Sequence, residues 1–239
     1  LPYILMTLNL MKYFGVESTL EGNIITVKNQ EYQAKSFFIE ADWSAASYFY
    51  SMTFLSDDAE ITLNGLQQDS VQGDAVIADI FKDWVETYYQ ENSIVLKKKK
   101  ADLPKIFQFD FLECPDLAQT VLTALAAKKI NGNFQGLKTL LIKETDRVAA
   151  LDNELSKYGA HLNGKVSENF WKLTSDQFSP DTIELPSIAT YEDHRMAMSF
   201  APLSMITKKI RIEEPQVVSK SYPQYWNDLH SLGFIICEK

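Results

Sequence analysis

The chain repeats itself, and that restricts its fold more than any other feature. Two helical stretches, ending in Tyr13-Phe14-Gly15-Val16 and Lys157-Tyr158-Gly159-Ala160, both stop at a glycine, and a related helix opening at Gly73 lies midway. Each is followed by a hairpin, a short strand and a second helix headed by an aspartate: Asp42, Asp116 and Asp193. The period is roughly 70–77 residues. Written cyclically the unit is βαβαββ. Two helices over one sheet face make an α/β (α+β) arrangement whose strands need not all be parallel. Repeats that meet at a centre bring equivalent helix starts together, and helix starts favour anions.

Taken in order, apolar spacing predicts a helix over 3–14 with Gly15 as its stop, then a hairpin of 16–20 and 24–28 around Glu21-Gly22-Asn23. A short strand is expected at 36–40, a helix Trp43–Leu55 capped by Asp42, and a strand at 61–63. Gln72-Gly73-Asp74 opens a helix running to Val85, followed by a strand at 93–96. The lysine run 97–100 reads as a solvated hairpin turn rather than a phosphate patch, because no aromatic residues interleave with it. Further strands are expected at 107–111, 139–142, 183–185 and 210–212, and a hairpin at 161–162 with 170–173. Helices are expected at 117–129, from after the 139–142 strand to a stop at Gly159, at 196–206 and at 224–232.

The densest chemistry lies within 141–159. Lys143, Glu144, Asp146 and Arg147 fall within five positions, ahead of the helical spacing Val148, Leu151, Leu155. Lys143 and Arg147 are four apart, which on a helix puts them on one face. Alone, this cluster fits a solvated first turn as well as it fits an anion site. The chain has 23 basic residues but only three arginines, Arg147, Arg195 and Arg211, and the first two sit in the polar clusters Lys-Glu-Thr-Asp-Arg and Glu-Asp-His-Arg. Arginine suits bidentate recognition of carboxylate and phosphate, so this placement points to an oxyanion site. Aspartate is also a favoured N-cap, worth ~1 kcal/mol. Asp42 reads as a cap, while Asp116 and Asp193 stand between cap and site.

A net charge of −9 disfavours a general nucleic-acid or membrane surface, so any anion must be held in a local basic pocket. Cys114 and Cys237 are too few for a disulfide framework, and a reduced, cytoplasmic protein is expected. The opening Leu1-Pro2-Tyr3, with no methionine and already in a helical pattern, reads as a cut through a longer protein with no signal peptide.

Lys143-Glu144-Thr145-Asp146-Arg147, with Glu154-Leu155-Ser156-Lys157-Tyr158-Gly159 after it, resembles the signature of the 5-enolpyruvylshikimate-3-phosphate (EPSP) synthase family. So do Tyr191-Glu-Asp-His-Arg-Met-Ala-Met198, Lys220-Ser-Tyr-Pro-Gln-Tyr225, the helix from Tyr3 to Gly15, Ala41 to Phe49, Gln72-Gly73-Asp74 and Cys114-Pro115-Asp116, all in the family's order. The resemblance implies an inside-out α/β structure of six βαβαββ units in two lobes. Residues 1–40 would end the N-terminal lobe, and 41–239 would form the C-terminal lobe of about three units. It further implies carboxyvinyl transfer from phosphoenolpyruvate to the 5-hydroxyl of shikimate 3-phosphate with release of phosphate, through a tetrahedral intermediate and with no metal or organic cofactor. On that basis Asp116 would be the base near the hydroxyl, and Glu144 the proton donor with Lys220 close by. Arg147, Arg195 and Lys220 would clamp phosphoenolpyruvate, Lys143 would meet the shikimate phosphate, and Tyr3, Thr139 and His194 would line the substrate site. Three positions depart from the family pattern: Ala41 replaces glycine, Thr139 replaces a phosphate-contacting asparagine, and Val85-Glu86 replaces a Gly-Ala helix end.

The implied partners are the two small substrates and the missing N-terminal lobe of the same protein, with no nucleic acid, no membrane and a monomeric state. Lacking that lobe, the fragment is expected to be inactive alone. One rival is the related transferase acting on UDP-N-acetylglucosamine, which shares fold and mechanism. The Lys-Glu-Thr-Asp-Arg and Asp-His-Arg pair argues against it, and no cysteine falls in a loop suited to its reactive role. The other rival is a non-catalytic lobe that binds anions. A nucleic-acid module using Lys97–Lys100 is disfavoured by net charge; salt-dependent DNA binding would revive it.

Overall fold

A computed structural model describes residues 2–181 and 184–237. The chain opens with α1 (Pro2–Tyr13) and the antiparallel hairpin of β1 (Ser18–Glu21) and β2 (Ile24–Val27). Gly15, at φ +86°, ends the first helix. The next run is α2 (Trp43–Leu55), β3 (Glu60–Asn64), α3 (Ile77–Phe81), β4 (Val85–Tyr89) and β5 (Ser93–Lys98). Then β6 (Ile106–Asp110), α4 (Ala118–Ala127), β7 (Asn131–Gln135), α5 (Arg147–Ser156), β8 (His161–Lys165) and β9 (Phe170–Thr174) complete one βαβαββ unit. The last run is β10 (Ser187–Ile188), α6 (His194–Phe200), α7 (Ser204–Thr207), β11 (Arg211–Ile212) and α8 (Tyr225–Ser231).

The complete unit forms a mixed sheet in the order β6-β7-β9-β8, with β6 and β7 parallel and the other pairs antiparallel. The unit before it makes the antiparallel sheet β3-β5-β4, and β10 pairs in parallel with β11. The helices α2, α4 and α6 lie inside. Nearly every residue of α2, and every residue of α4, is buried. A helix apolar on all sides belongs in a core, and here the sheets lie outside the helices. Hydroxyls stitch the three together: Ser47 Oγ lies 3.2 Å from Thr120 Oγ1, which lies 3.3 Å from Ser199 Oγ. None of the described helices is long and apolar enough to cross a membrane.

Several expected elements differ. Residues 36–40 form no strand. Only Ala41 N–H reaches β3's end, at the Gly65 carbonyl, and Glu40 spends its carboxylate on Trp43 Nε1, Gln67 N–H, Ser70 Oγ and Gln72 Nε2. The helix opened at Gln72 ends at Phe81, and Val85 begins a strand, because Val-Glu-Thr-Tyr-Tyr is a β-branched and aromatic run. Lys97 and Lys98 lie in β5, not in a turn: Lys97 pairs with Glu60 at 3.1 Å, and Lys98 Nζ bonds the Phe54 carbonyl at the end of α2. Residues 138–142 make a 3₁₀ turn rather than a strand, with Leu140 buried and Ile142 85% exposed. The long helix expected at 196–206 breaks into α6 and α7 around Pro202, which has no N–H for the ladder. The expected strand at 183–185 starts on Ile183, outside the described residues, and the strand present is β10.

Candidate active site

Three segments far apart in sequence end at one point. Pro115–Leu117 is the 3₁₀ turn leading into α4, Asp146 caps α5, and Asp193 caps α6. Asp146 accepts from Val148 and Ala149 N–H, so α5 begins at Arg147 and Lys143 precedes the helix. The two cations therefore do not share a helical face. They meet on a carboxylate instead: Lys143 Nζ lies 3.3 Å and Arg147 Nη1 3.0 Å from Asp116 Oδ1.

Asp116 is no cap. Its other oxygen accepts from the Tyr3 hydroxyl at 2.7 Å and from Arg195 Nη2 at 3.1 Å. Burial pushes this carboxyl up. Arg195, the Tyr3 hydrogen bond, Lys143 and Arg147 outweigh that and hold it at about 2. Tyr3 moves the other way, raised by burial and by its carboxylate partner.

Arg147 is the centre of the cluster and is 1% exposed. Nε donates to Asp193 Oδ2 at 2.6 Å, Nη1 to Asp116, and Nη2 to Glu144 Oε2 at 2.6 Å. Its planar fork is what lets one cation serve three carboxylates. The clamp expected of Arg147 is thus filled, in this state, by the protein's own anions. Glu144 is partly open to solvent. Burial raises its carboxyl, but a backbone hydrogen bond, Arg147, His194 and Lys143 bring it below the usual range.

Asp193 is 0% exposed and does two jobs, capping Arg195 N–H at 2.8 Å and pairing with Arg147. Of the two roles the sequence allows it, cap and site, it fills both. His194 is buried, its Nδ1 has no hydrogen-bond partner among the described residues, and burial with Arg195 pushes its pKa down. It is therefore neutral near pH 7. Lys220 Nζ donates to the Glu192 carbonyl at 2.8 Å, next to Asp193. That carbonyl follows Tyr191 and Glu192, consecutive left-handed residues at φ +55° and +57°. Each costs roughly 1–2 kcal/mol in a residue with a side chain. Thr139 is exposed on its 3₁₀ turn, and no hydrogen bond among the described residues joins it to the cluster.

One acid escaped sequence reading. Asp74 is buried, hydrogen-bonded by the Ser44 hydroxyl, and raised by burial despite that bond and Arg195. The motif Gln72-Gly73-Asp74 was the only trace of it. A groove of about 490 Å³ lies between α2, β3 and α8, lined by Phe49, Leu63 and Tyr222 among others; it includes none of Asp116, Glu144, Arg147, Asp193 and Arg195.

The sequence profile described as EPSP synthase (3-phosphoshikimate 1-carboxyvinyltransferase) matches residues 1–229. A 3-phosphoshikimate 1-carboxyvinyltransferase of Bacteroides fragilis is 46% identical over 235 residues, covering 98% of this chain and 56% of the relative. One of Methanospirillum hungatei is 30% identical, covering 97% of this chain and 54% of the relative. Among solved structures, EPSP synthase from Acinetobacter baumannii superposes with a TM-score of 0.73 at 19% identity, over 93% of this chain and 53% of that one. The enolpyruvyl transferase NikO from Streptomyces tendae gives 0.63 at 12% identity, over 94% and 52%. These two likenesses bear on the fold, which is that of the enolpyruvyl transferases. The chain spans about half the length of the curated relatives it matches.

Proposed function

The chain belongs to the EPSP synthase family, and from that premise we propose that it forms one lobe of a cytoplasmic, monomeric 3-phosphoshikimate 1-carboxyvinyltransferase. The reaction is transfer of the enolpyruvyl group of phosphoenolpyruvate to the 5-hydroxyl of shikimate 3-phosphate. Residues 41–239 are the lobe, and residues 1–40 end its missing partner. In support, α1 buries no residue, and Ile24, Tyr32 and Ile39 stand exposed in the segment that follows. Surface of that kind wants a partner.

The observation that carries the proposal is Asp116 with four donors, Tyr3, Lys143, Arg147 and Arg195, drawn from three separate parts of the chain. At the reaction's start these cations are neutralised by Asp116, Asp193 and Glu144. An arriving phosphate or carboxylate competes for Lys143, Arg195 and the edge of Arg147. Each cation it draws away loosens the hold on Asp116 and Glu144 and raises their proton affinity. Asp116 then becomes a usable base for the hydroxyl, and Glu144 a usable acid for the enol carbon. Substrate binding thus switches on the proton chemistry. Lys220, held by the Glu192 carbonyl next to Asp193, is the further cation for phosphoenolpyruvate, and His194, neutral, lines the site. Closure of the absent lobe would supply the remaining cations and exclude water.

The test mixes this chain with the N-terminal lobe of the Bacteroides fragilis relative and offers phosphoenolpyruvate with either of two acceptors. Enolpyruvyl transfer to shikimate 3-phosphate, and not to UDP-N-acetylglucosamine, is the expected result. Transfer to the sugar nucleotide alone would move the chain to the rival transferase.

A further inference from the structure

Glu154 lies in the last turn of α5, is 1% exposed, and has no part in the chemistry described above. A buried carboxylate persists only where donors surround it. Here the donors come from one short segment and one lysine. Oε1 accepts from the Tyr191 hydroxyl at 2.8 Å, and Oε2 from Ala189 N–H at 3.1 Å and Lys157 Nζ at 2.5 Å. Lys157 reaches on to the Ser187 carbonyl at 2.7 Å. The stretch from 187 to 191 is therefore tied at three points to a single turn of α5.

That stretch leads straight into the left-handed pair Tyr191 and Glu192. Two adjacent side-chain-bearing residues in this region are disfavoured and stay there only when their surroundings hold them. The turn's shape decides where the Glu192 carbonyl points, and that carbonyl is the acceptor of Lys220. It also delivers Asp193 to Arg147 and to the first turn of α6.

We propose that Glu154 is a positioning residue: its bond to Tyr191 holds the left-handed turn in the form that aims Lys220 at the anion site. This rests on the reading of Lys220 as an anion contact. If the turn relaxes, the Glu192 carbonyl swings away and Lys220 loses its fixed place.

The experiment uses the whole chain with Tyr191→Phe, which keeps the ring and removes the hydroxyl. Glu154→Gln, which can still accept from that hydroxyl, is the conservative partner. Amide hydrogen exchange is read at Arg195, whose N–H bonds Asp193, and along α4. Inorganic phosphate affinity is read by NMR titration. Losing one hydrogen bond should speed exchange at Arg195 about fivefold and leave α4 unchanged. Phosphate affinity should fall about fivefold in Tyr191→Phe and less in Glu154→Gln. In a Lys220→Met background, Tyr191→Phe should cost less than about twofold, because the residue it acts through is gone. Equal acceleration at Arg195 and α4, equal losses in both backgrounds, or no change at Arg195 would each overturn the proposal. A wild-type chain that binds no phosphate would remove the anion site and the target of the positioning with it. The Arg195 comparison would then still decide whether Glu154 sets the turn.

Discussion

Replacing Arg147 with methionine should cost the fold about 3–5 kcal/mol at pH 7. The figure follows from which partners are left behind. Glu144 is partly exposed and returns to water at little cost. Asp116 keeps Tyr3, Lys143 and Arg195. Among the described residues Asp193, fully buried, keeps only the Arg195 N–H and a histidine nitrogen 3.9 Å away, so the cost falls mainly there. Arg147→Lys restores charge without the fork and should lose less, roughly 1–3 kcal/mol. Acid protonates the stranded carboxylate, so the gap between variant and wild type should narrow as pH falls from 7 toward 4. Wild type loses stability lower down. The folded Asp116 sits at about 2, below its unfolded value of about 3.9. Its contribution, about 2.5 kcal/mol, is therefore complete above about pH 4 and is lost between there and pH 2. Urea denaturation at pH 7 and pH 4.5, with unchanged slopes, measures the first effect, and wild-type melts at pH 4.5 and pH 2.5 measure the second. A loss under about 1 kcal/mol at pH 7, or a gap that widens on acidification, would refute the reasoning.

Asp116→Asn should free Arg195 and Lys143 and raise the chain's phosphate affinity severalfold, read by titration; no rise would mean that the carboxylate does not hold those cations. Glu144→Gln in the reassembled two-lobe enzyme should lower kcat roughly 10²-fold while phosphate binding stays within about twofold; an unchanged kcat removes it as the acid. Gly159→Ala should destabilise by more than about 1 kcal/mol, since φ is +82° and the new Cβ would lie 2.5 Å from the Gln177 carbonyl oxygen. Gly22→Ala is the control, at φ +59° with nothing in reach of its Cβ; equal losses by urea melt would show that the clash does not matter.

The repeat was legible because its signals are local. Asp42 caps α2 as expected, Gly15 and Gly159 stop their helices at positive φ, and α2 spans the expected residues. Strand β7 was missed because Asn131-Gly132-Asn133 carries little apolar pattern, although Gly132 and Phe134 both face inward. The 3₁₀ turn at 138–142 was missed for the opposite reason: three apolar residues in a row look like a strand until only one finds the core. At the site, sequence picked out Asp116, Glu144, Arg147 and Arg195 but not their pairing. Nothing local says that Arg147 turns its Nε to Asp193, 46 positions away. A free arginine clamp and a buried, carboxylate-filled one read the same in sequence. The difference lies in how α4, α5 and α6 meet.

Phosphate release from phosphoenolpyruvate plus shikimate 3-phosphate, followed for this chain alone, for the N-terminal lobe alone and for the two together, tests whether the Arg147 cluster is half of an active site. On the proposed two-lobe reading, loss of positioning by the other lobe removes several kcal/mol of barrier lowering, so each half should be silent and the mixture should turn over. Turnover by this chain alone near a typical ~10 s⁻¹, or a folded and associated mixture that releases no phosphate, would contradict it.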